Sequence, residues 1–281
     1  MKIKTKSEIC ITIGNFSSSK ILFFDKPVRA IELTKEESQR VSSLLTDGTN
    51  TTVSSNGQSK KETIGEPRTI NILAEVGREV KRYMDKHHFS GHDFSHVLRV
   101  QKLCRVIGEE ENADMLILLA SALLHDLARD EERKNPGVDH AEKSAEIAKD
   151  ILQRTGFPRE KIPAVVYAIR VHRFTKGVTP TTLEAKILQD ADRIDISGAI
   201  GIATTFAYSG VYNREIYDFN DPFAENRGLD DHNYSVDHFY TKLLNLPKTM
   251  HTRISKQIAE KRIEFTQFFL KELRDEIEGR I

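Results

Sequence analysis

Cysteine is scarce in this 281-residue chain: Cys10 and Cys104 are the only two. They are too few for a disulfide framework or a cysteine-based zinc site. There is no excess of either charge, since 42 Lys and Arg balance 42 Asp and Glu. A whole-chain nucleic-acid binder normally carries a basic excess, so nucleic acid is not an expected partner. No apolar run approaches the ~18 residues that mark a membrane span, so no membrane partner is expected either. Lys2, Lys4 and Lys6 precede an apolar run after Glu8 that lasts only a few residues. That is not the pattern of a secretory signal, and the expected location is cytoplasmic. The sequence has no internal repeat. It is long enough for one large or two modest domains, and at 38% apolar and 30% charged it can bury a core without staples.

Residues 1–45 read as a small, β-rich α+β unit. Glu8–Ile13 alternates and is rich in β-branched residues; Lys20–Phe24 and Val28–Leu33 are further strand candidates. Asn15–Ser19 between them is turn-like. Thr34-Lys-Glu-Glu37 fits a capping box, and Val41, Leu44 and Leu45 would give the following helix an apolar face. Residues 46–66 are expected to be a flexible linker. Thr46–Ser59 has one apolar side chain and cannot bury enough surface to offset its ordering entropy.

Over 67–281 the period becomes helical. Ile70, Leu73, Val76, Val80 and Met84 form one stripe; Val97, Val100, Leu103, Cys104 and Ile107 form another. Met115–Leu124 is apolar nearly all round, which predicts a central, buried helix. Asp139 is placed to cap a helix running to Gly156. Residues 211–233, rich in Asn, Asp and Gly, read as a long surface excursion, and about Arg253–Ile277 as a long amphipathic helix. The fold class expected is mainly α: an all-helical domain with a small N-terminal unit.

The chemistry lies in the histidines and aspartates. His125-Asp126 closes the buried run Leu116–Leu124, where an adjacent imidazole and carboxylate are costly unless paired. A divalent metal is the natural partner. His96 lies on the preceding helix and Asp192 on a later one. Two imidazoles and two carboxylates suit Mn²⁺, Fe²⁺, Co²⁺ or Mg²⁺ and leave coordination positions open for water and a phosphate oxygen. A second dipeptide, His92-Asp93, shows that such pairs also arise by chance. Its simpler reading is that Asp93 or Ser95 caps the helix bearing His96. His87, His88, His232 and His251 look like exposed or loop residues.

The order His96, His125-Asp126, Asp192 resembles that of the HD-domain metal-dependent phosphohydrolase superfamily. The resemblance spans about residues 70–279 and extends to Gly91-His-Asp-Phe-Ser-His-Val-Leu-Arg-Val100, Leu123-Leu-His-Asp-Leu127, Gln189-Asp-Ala-Asp-Arg-Ile-Asp195 and Gly198-Ala-Ile-Gly-Ile-Ala203. His238-Phe-Tyr-Thr-Lys-Leu-Leu244 and Met250-His-Thr252 complete it. These segments are similar to a branch that includes bacterial nucleotide pyrophosphohydrolases. The resemblance implies an all-helical HD-type domain with His96, His125, Asp126 and Asp192 as ligands of the catalytic metal, Mn²⁺ foremost. It implies hydrolysis of a nucleoside triphosphate or another nucleotide. Asp126, or a nearby carboxylate such as Asp93 or Asp190, would accept a proton.

Binuclear HD enzymes use two more histidines between the dyad and the last Asp, and His140 and His172 have that order. Their surroundings lack the extended binuclear signature, which favours one metal. Arg99, Arg129 and Arg193 lie within a helical turn of the expected ligands and are candidates for phosphate contact, or for pairing with Asp126, Asp130, Asp190 or Asp195. Two segments depart from the branch: Thr204-Thr205, where Arg-Thr is usual, and Ala128–Glu132 after the dyad. A phosphodiesterase acting on a cyclic or short oligonucleotide and a non-catalytic nucleotide sensor are the alternatives. The oligomeric state, a homodimer among the options, stays open.

Overall fold

The structure, a computed structural model, describes the backbone of residues 2–4, 10–16, 19–24, 67–86 and 91–280, and the side chains of 72–86 and 94–280. The chain divides into two compact units, Met1–Lys61 and Glu62–Ile281.

In the first unit β1 (Lys2–Lys4), β2 (Cys10–Phe16) and β3 (Ser19–Phe24) form an antiparallel sheet in the order β1-β2-β3. The sequence anticipates β2 and β3. Pairing of Phe16 with Ser19 carries the ladder into the segment read as a turn. β1 was not expected, because Lys-Ile-Lys has only one apolar residue with which to signal a strand. The strand expected at Val28–Leu33, the helix after Thr34 and the linker over 46–66 lie outside the described residues.

The second unit is helical. α1 spans Pro67–Lys86, with proline at its first turn where the missing N–H costs nothing, and α2 spans Gly91–Glu111. α2 starts earlier than expected, so Asp93 lies inside its first turn. α3 (Met115–Leu124) is capped by Asp114, whose Oδ1 accepts the Leu116 and Ile117 N–H groups at 3.1 and 3.2 Å. α4 (Arg129–Lys134) is a short charged turn, and α5 (His140–Arg154) is capped by Asp139 as the sequence predicts. α6 (Ile162–Arg170), α7 (Leu183–Asp195), α8 (Gly198–Val211), α9 (Ser235–Thr241) and α10 (Arg253–Ile277) follow.

α3 is the shared wall of two cores, which is why it is apolar all round. On one side Leu123 and Leu124 meet Val76, Val80, Ile151, Leu152 and Val165. On the other Leu118 and Leu119 meet Val100, Ile107, Leu188 and Ile194. At about 1.5–3 kcal/mol for each fully buried large side chain, these layers fix α3 between its neighbours. A third cluster, around Phe239, Leu243 and Leu270, ties α9 to α10. α7 turns sharply into α8. Gly198 has φ +64°, and a Cβ on Gly201 would lie 2.4 Å from the Ile196 carbonyl oxygen, so only glycine lets α8 close on the end of α7. Residues 211–233 run over the surface as expected, pinned where Arg227 donates to both oxygens of buried Asp237 at 2.5 and 2.8 Å. Among the described residues no helix is long and apolar enough to cross a membrane.

Among the described residues, the three clusters of buried residues lie within the second unit. A fragment of residues 62–281 is therefore expected to fold alone, with cooperative thermal unfolding within a few degrees of the full chain. A fragment that is molten by near-ultraviolet circular dichroism would refute this.

Candidate metal centre

Five elements converge at the end of α3. His125 and Asp126 follow its last residue, and His96 is on α2. His140 opens α5, His172 follows α6, and Asp192 and Asp195 are on α7. The imidazoles of His125, His140 and His172 are at most 2% exposed. The Asp126 and Asp192 side chains are 15% and 27% exposed, so the cluster opens to solvent on its carboxylate side.

Asp126 is the centre. Its Oδ2 lies 3.8 Å from both His96 Nε2 and His125 Nε2. Its Oδ1 lies 3.5 Å from both His140 Nε2 and His172 Nε2. Asp192 Oδ1 closes the first side, 3.2 Å from His96 Nε2 and 3.7 Å from His125 Nε2. Each imidazole is oriented from behind through Nδ1. His125 donates to the Ala122 carbonyl at 2.9 Å and His172 to the Ile169 carbonyl at 2.6 Å. His96 is held by Asp195 at 2.8 Å and His140 by Glu132 at 2.8 Å. With Nδ1 of each ring engaged behind, all four Nε2 atoms face Asp126.

Charge in the cluster is poised for a cation. Burial lowers the His96 pKa, but Asp192 and Asp195 outweigh it and lift it to about 10. Burial would raise the Asp126 carboxyl, yet His125, His172 and Arg129 hold it well below the usual carboxylate range. Asp192 is depressed likewise, by His125 and His96. His140 differs: burial, with Arg129 and His172 alongside, depresses its pKa.

The donor set fits a divalent metal. The Nε2 of His125 is fully buried and is the only such side-chain atom without a hydrogen-bond partner among the described residues. A buried imidazole nitrogen with a free lone pair, facing two carboxylates, is a ligand atom in search of a cation. Two triads have mutually close donor atoms, His96/His125/Asp126 and Asp126/His140/His172. A third, Glu132/Asp139/His140, is already neutralised. Arg173 donates to Glu132 at 2.6 Å, and Lys176 pairs with Asp139.

The other expected residues divide. Arg99 grips both oxygens of Asp195 at 2.8 Å and so braces the carboxylate behind His96. Arg193 donates to Asp190 at 3.0 Å and to the Thr249 carbonyl and hydroxyl at 2.8 Å, which follows its pairing alternative rather than phosphate contact. Asp190 does not suit a proton acceptor. It is fully buried and accepts from the His251 and Thr252 N–H groups and from Arg193, which anchors the loop before α10 to α7. Arg129 stays half-exposed with Nη1 about 3.1 Å from the His140 ring nitrogens. The Asp93 side chain lies outside the described residues.

Sequence reasoning gave no role to Glu132 or Arg173 and saw Asp195 only as a partner for arginine. Glu132 sits in a run of surface charges, and its contact with Arg173 spans 41 positions, so no linear pattern marks it.

The HD domain family matches residues 93–197, a span that holds His96, His125, Asp126, His140, His172, Asp192 and Asp195. The Bacillus subtilis protein YpgQ is 34% identical over 194 residues, covering 68% of this chain and 86% of YpgQ. An HD-superfamily hydrolase from Bacillus thuringiensis is 32% identical with a TM-score of 0.62, over 75% of this chain and all of that one. The crystal structure of YpgQ in complex with ADP aligns at 30% identity and a TM-score of 0.59, over 75% of this chain and 97% of that one. The chain belongs to the HD-domain phosphohydrolase superfamily. It is an HD-superfamily hydrolase whose clustered His and Asp residues suit a divalent metal.

Asp195→Asn and Glu132→Gln should each weaken metal binding about 10- to 100-fold, as removal of a carboxylate behind a ligand imidazole does elsewhere. Calorimetric titration of chelator-stripped protein reads this. Unchanged affinity in both would show that these carboxylates do not orient the imidazoles.

Proposed function

We propose that this hydrolase cleaves a nucleoside triphosphate, or another nucleotide, and releases pyrophosphate or phosphate. The observation that carries the reading is Asp126, with one oxygen toward His96 and His125 and the other toward His140 and His172. A carboxylate placed this way can be shared by two divalent ions, as in two-metal phosphoryl-transfer sites. His96, His125, Asp126 and Asp192 form the first; Asp126, His140 and His172 form the second. The missing binuclear signature around His140 and His172 favours a single metal. The convergence of both extra imidazoles on Oδ1 favours two.

Mn²⁺ is the first candidate for the mixed nitrogen and oxygen donors, with Fe²⁺, Co²⁺ or Mg²⁺ as substitutes. Bound here, such an ion supplies Lewis-acid polarisation of the phosphoryl oxygens and a lowered water pKa. The chain does the rest. Its buried imidazoles hold fixed positions, so little reorganisation accompanies binding. Asp126 is one candidate acceptor for the proton of the attacking water. Asp93, one turn before His96, is the other candidate acceptor. Arg129, at the edge of the second subsite, is the guanidinium best sited to meet charge on the phosphoryl oxygens. Arg99 and Arg193 support that geometry from behind. The ADP complex of YpgQ supports a nucleotide as the small-molecule partner.

A panel of nucleotides with Mn²⁺ tests the reading. Phosphate or pyrophosphate release should vanish on chelation and return with Mn²⁺, and His125→Ala and Asp126→Ala should abolish it. His140→Ala and His172→Ala should each lower bound metal from two ions toward one and cut kcat. If they raise KM and leave metal content unchanged, these histidines contact phosphate instead.

A further inference from the structure

We infer that Phe174 is the stacking platform for the substrate's nucleobase. The inference deepens the nucleotide reading above and rests on it. Phe174 lies two residues beyond His172, in the turn Phe174–Lys176 closed by Gly177 at φ +69°. The turn is tied at two places beside the His/Asp cluster. Arg173 donates to Glu132, the carboxylate behind His140, at 2.6 Å, and Lys176 pairs with Asp139 at the start of α5. On the other side the Phe174 ring lies over the Arg193 guanidinium, 4.0 Å from its Cζ, and Arg193 adjoins Asp192 in sequence. The turn therefore spans from the His140 side of the cluster to the buried Arg193 of α7.

Exposure decides which face of the ring is free. Arg193 is 6% exposed and held by Asp190 and Thr249, whereas Phe174 is 45% exposed. One ring face is thus backed by a fixed, buried cation and the accessible surface is the other. A single exposed phenylalanine is ordinary on a protein surface. This one is held in a cross-tied turn beside a cluster suited to phosphate chemistry, with its open face unable to hydrogen-bond. That arrangement accepts a planar ring and reads none of its edge groups. It suits nucleobases in general, purines above pyrimidines because they stack over more area.

ADP and inorganic pyrophosphate separate this role from others, because they share the diphosphate and differ by the nucleoside. Their dissociation constants are to be measured by calorimetry with Mn²⁺ for the full chain, Phe174→Ala and Phe174→Trp. The wild type should bind ADP more tightly than pyrophosphate. Phe174→Ala should weaken ADP about tenfold, within the range for loss of one stacked base, and change pyrophosphate by less than about twofold. Phe174→Trp should restore ADP binding. Equal loss of both ligands in Phe174→Ala would overturn the inference, since the ring would then serve only to cover Arg193. No ADP preference in the wild type would overturn it as well. Neither result touches the hydrolase reading, which stands or falls on turnover in the nucleotide panel.

Discussion

Burying His125 at the end of an apolar helix leaves its Nε2 with no hydrogen-bond partner among the described residues, and the helical unit is arranged around that cost. An unpaired buried polar atom costs about 1–3 kcal/mol, so it persists only where a rigid frame or a bound partner offsets it. α3 provides the frame. Packed on two sides, it delivers His125 and Asp126 to one point with little freedom. The facing elements contribute only imidazole and carboxylate there. The result is a pocket of donor atoms in which, apart from His96–Asp192 at 3.2 Å, the distances to Asp126 and Asp192 are 3.5–3.8 Å, long for hydrogen bonds and apt for a shared cation.

The histidines are set by two different devices. His125 and His172 rest on backbone carbonyls of their own chain segments, contacts that come with the helix ends. His96 and His140 rest on carboxylates, each gripped in turn by an arginine: Arg99 behind Asp195 and Arg173 behind Glu132. Each side of Asp126 therefore has one imidazole of each kind. The placement of the carboxylate-backed pair depends on residues distant in sequence. Arginine accordingly serves two ends here. Arg99, Arg173 and Arg193 build the frame, while Arg129 stands at the opening.

Much of this was legible in the sequence because the signals are local. The all-round apolar pattern of Met115–Leu124, the Asp139 cap and the order His96, His125-Asp126, Asp192 all find their counterparts in the helical unit. What failed to show was long-range. Asp190 reads as a candidate proton acceptor or a partner for arginine, yet further donors arrive from His251 and Thr252, about 60 positions away. For Arg193 the sequence offers phosphate contact or carboxylate pairing, and only the fold brings Asp190 and Thr249 together around it. Glu132 is hidden in a charged turn until α5 and α6 bring His140 and Arg173 to it. β1 left no trace because a three-residue strand with flanking lysines has no period to detect.

The account turns on Asp126 as a carboxylate shared by two cations. Anomalous diffraction from a crystal soaked in Mn²⁺ tests it most directly. Two peaks about 3.5–4 Å apart should straddle Asp126. One should lie within about 2.0–2.3 Å of the His96 and His125 Nε2 atoms and the other equally near those of His140 and His172. A single peak on the His96 side, with the His140 and His172 imidazoles more than about 4 Å from it, would contradict the account.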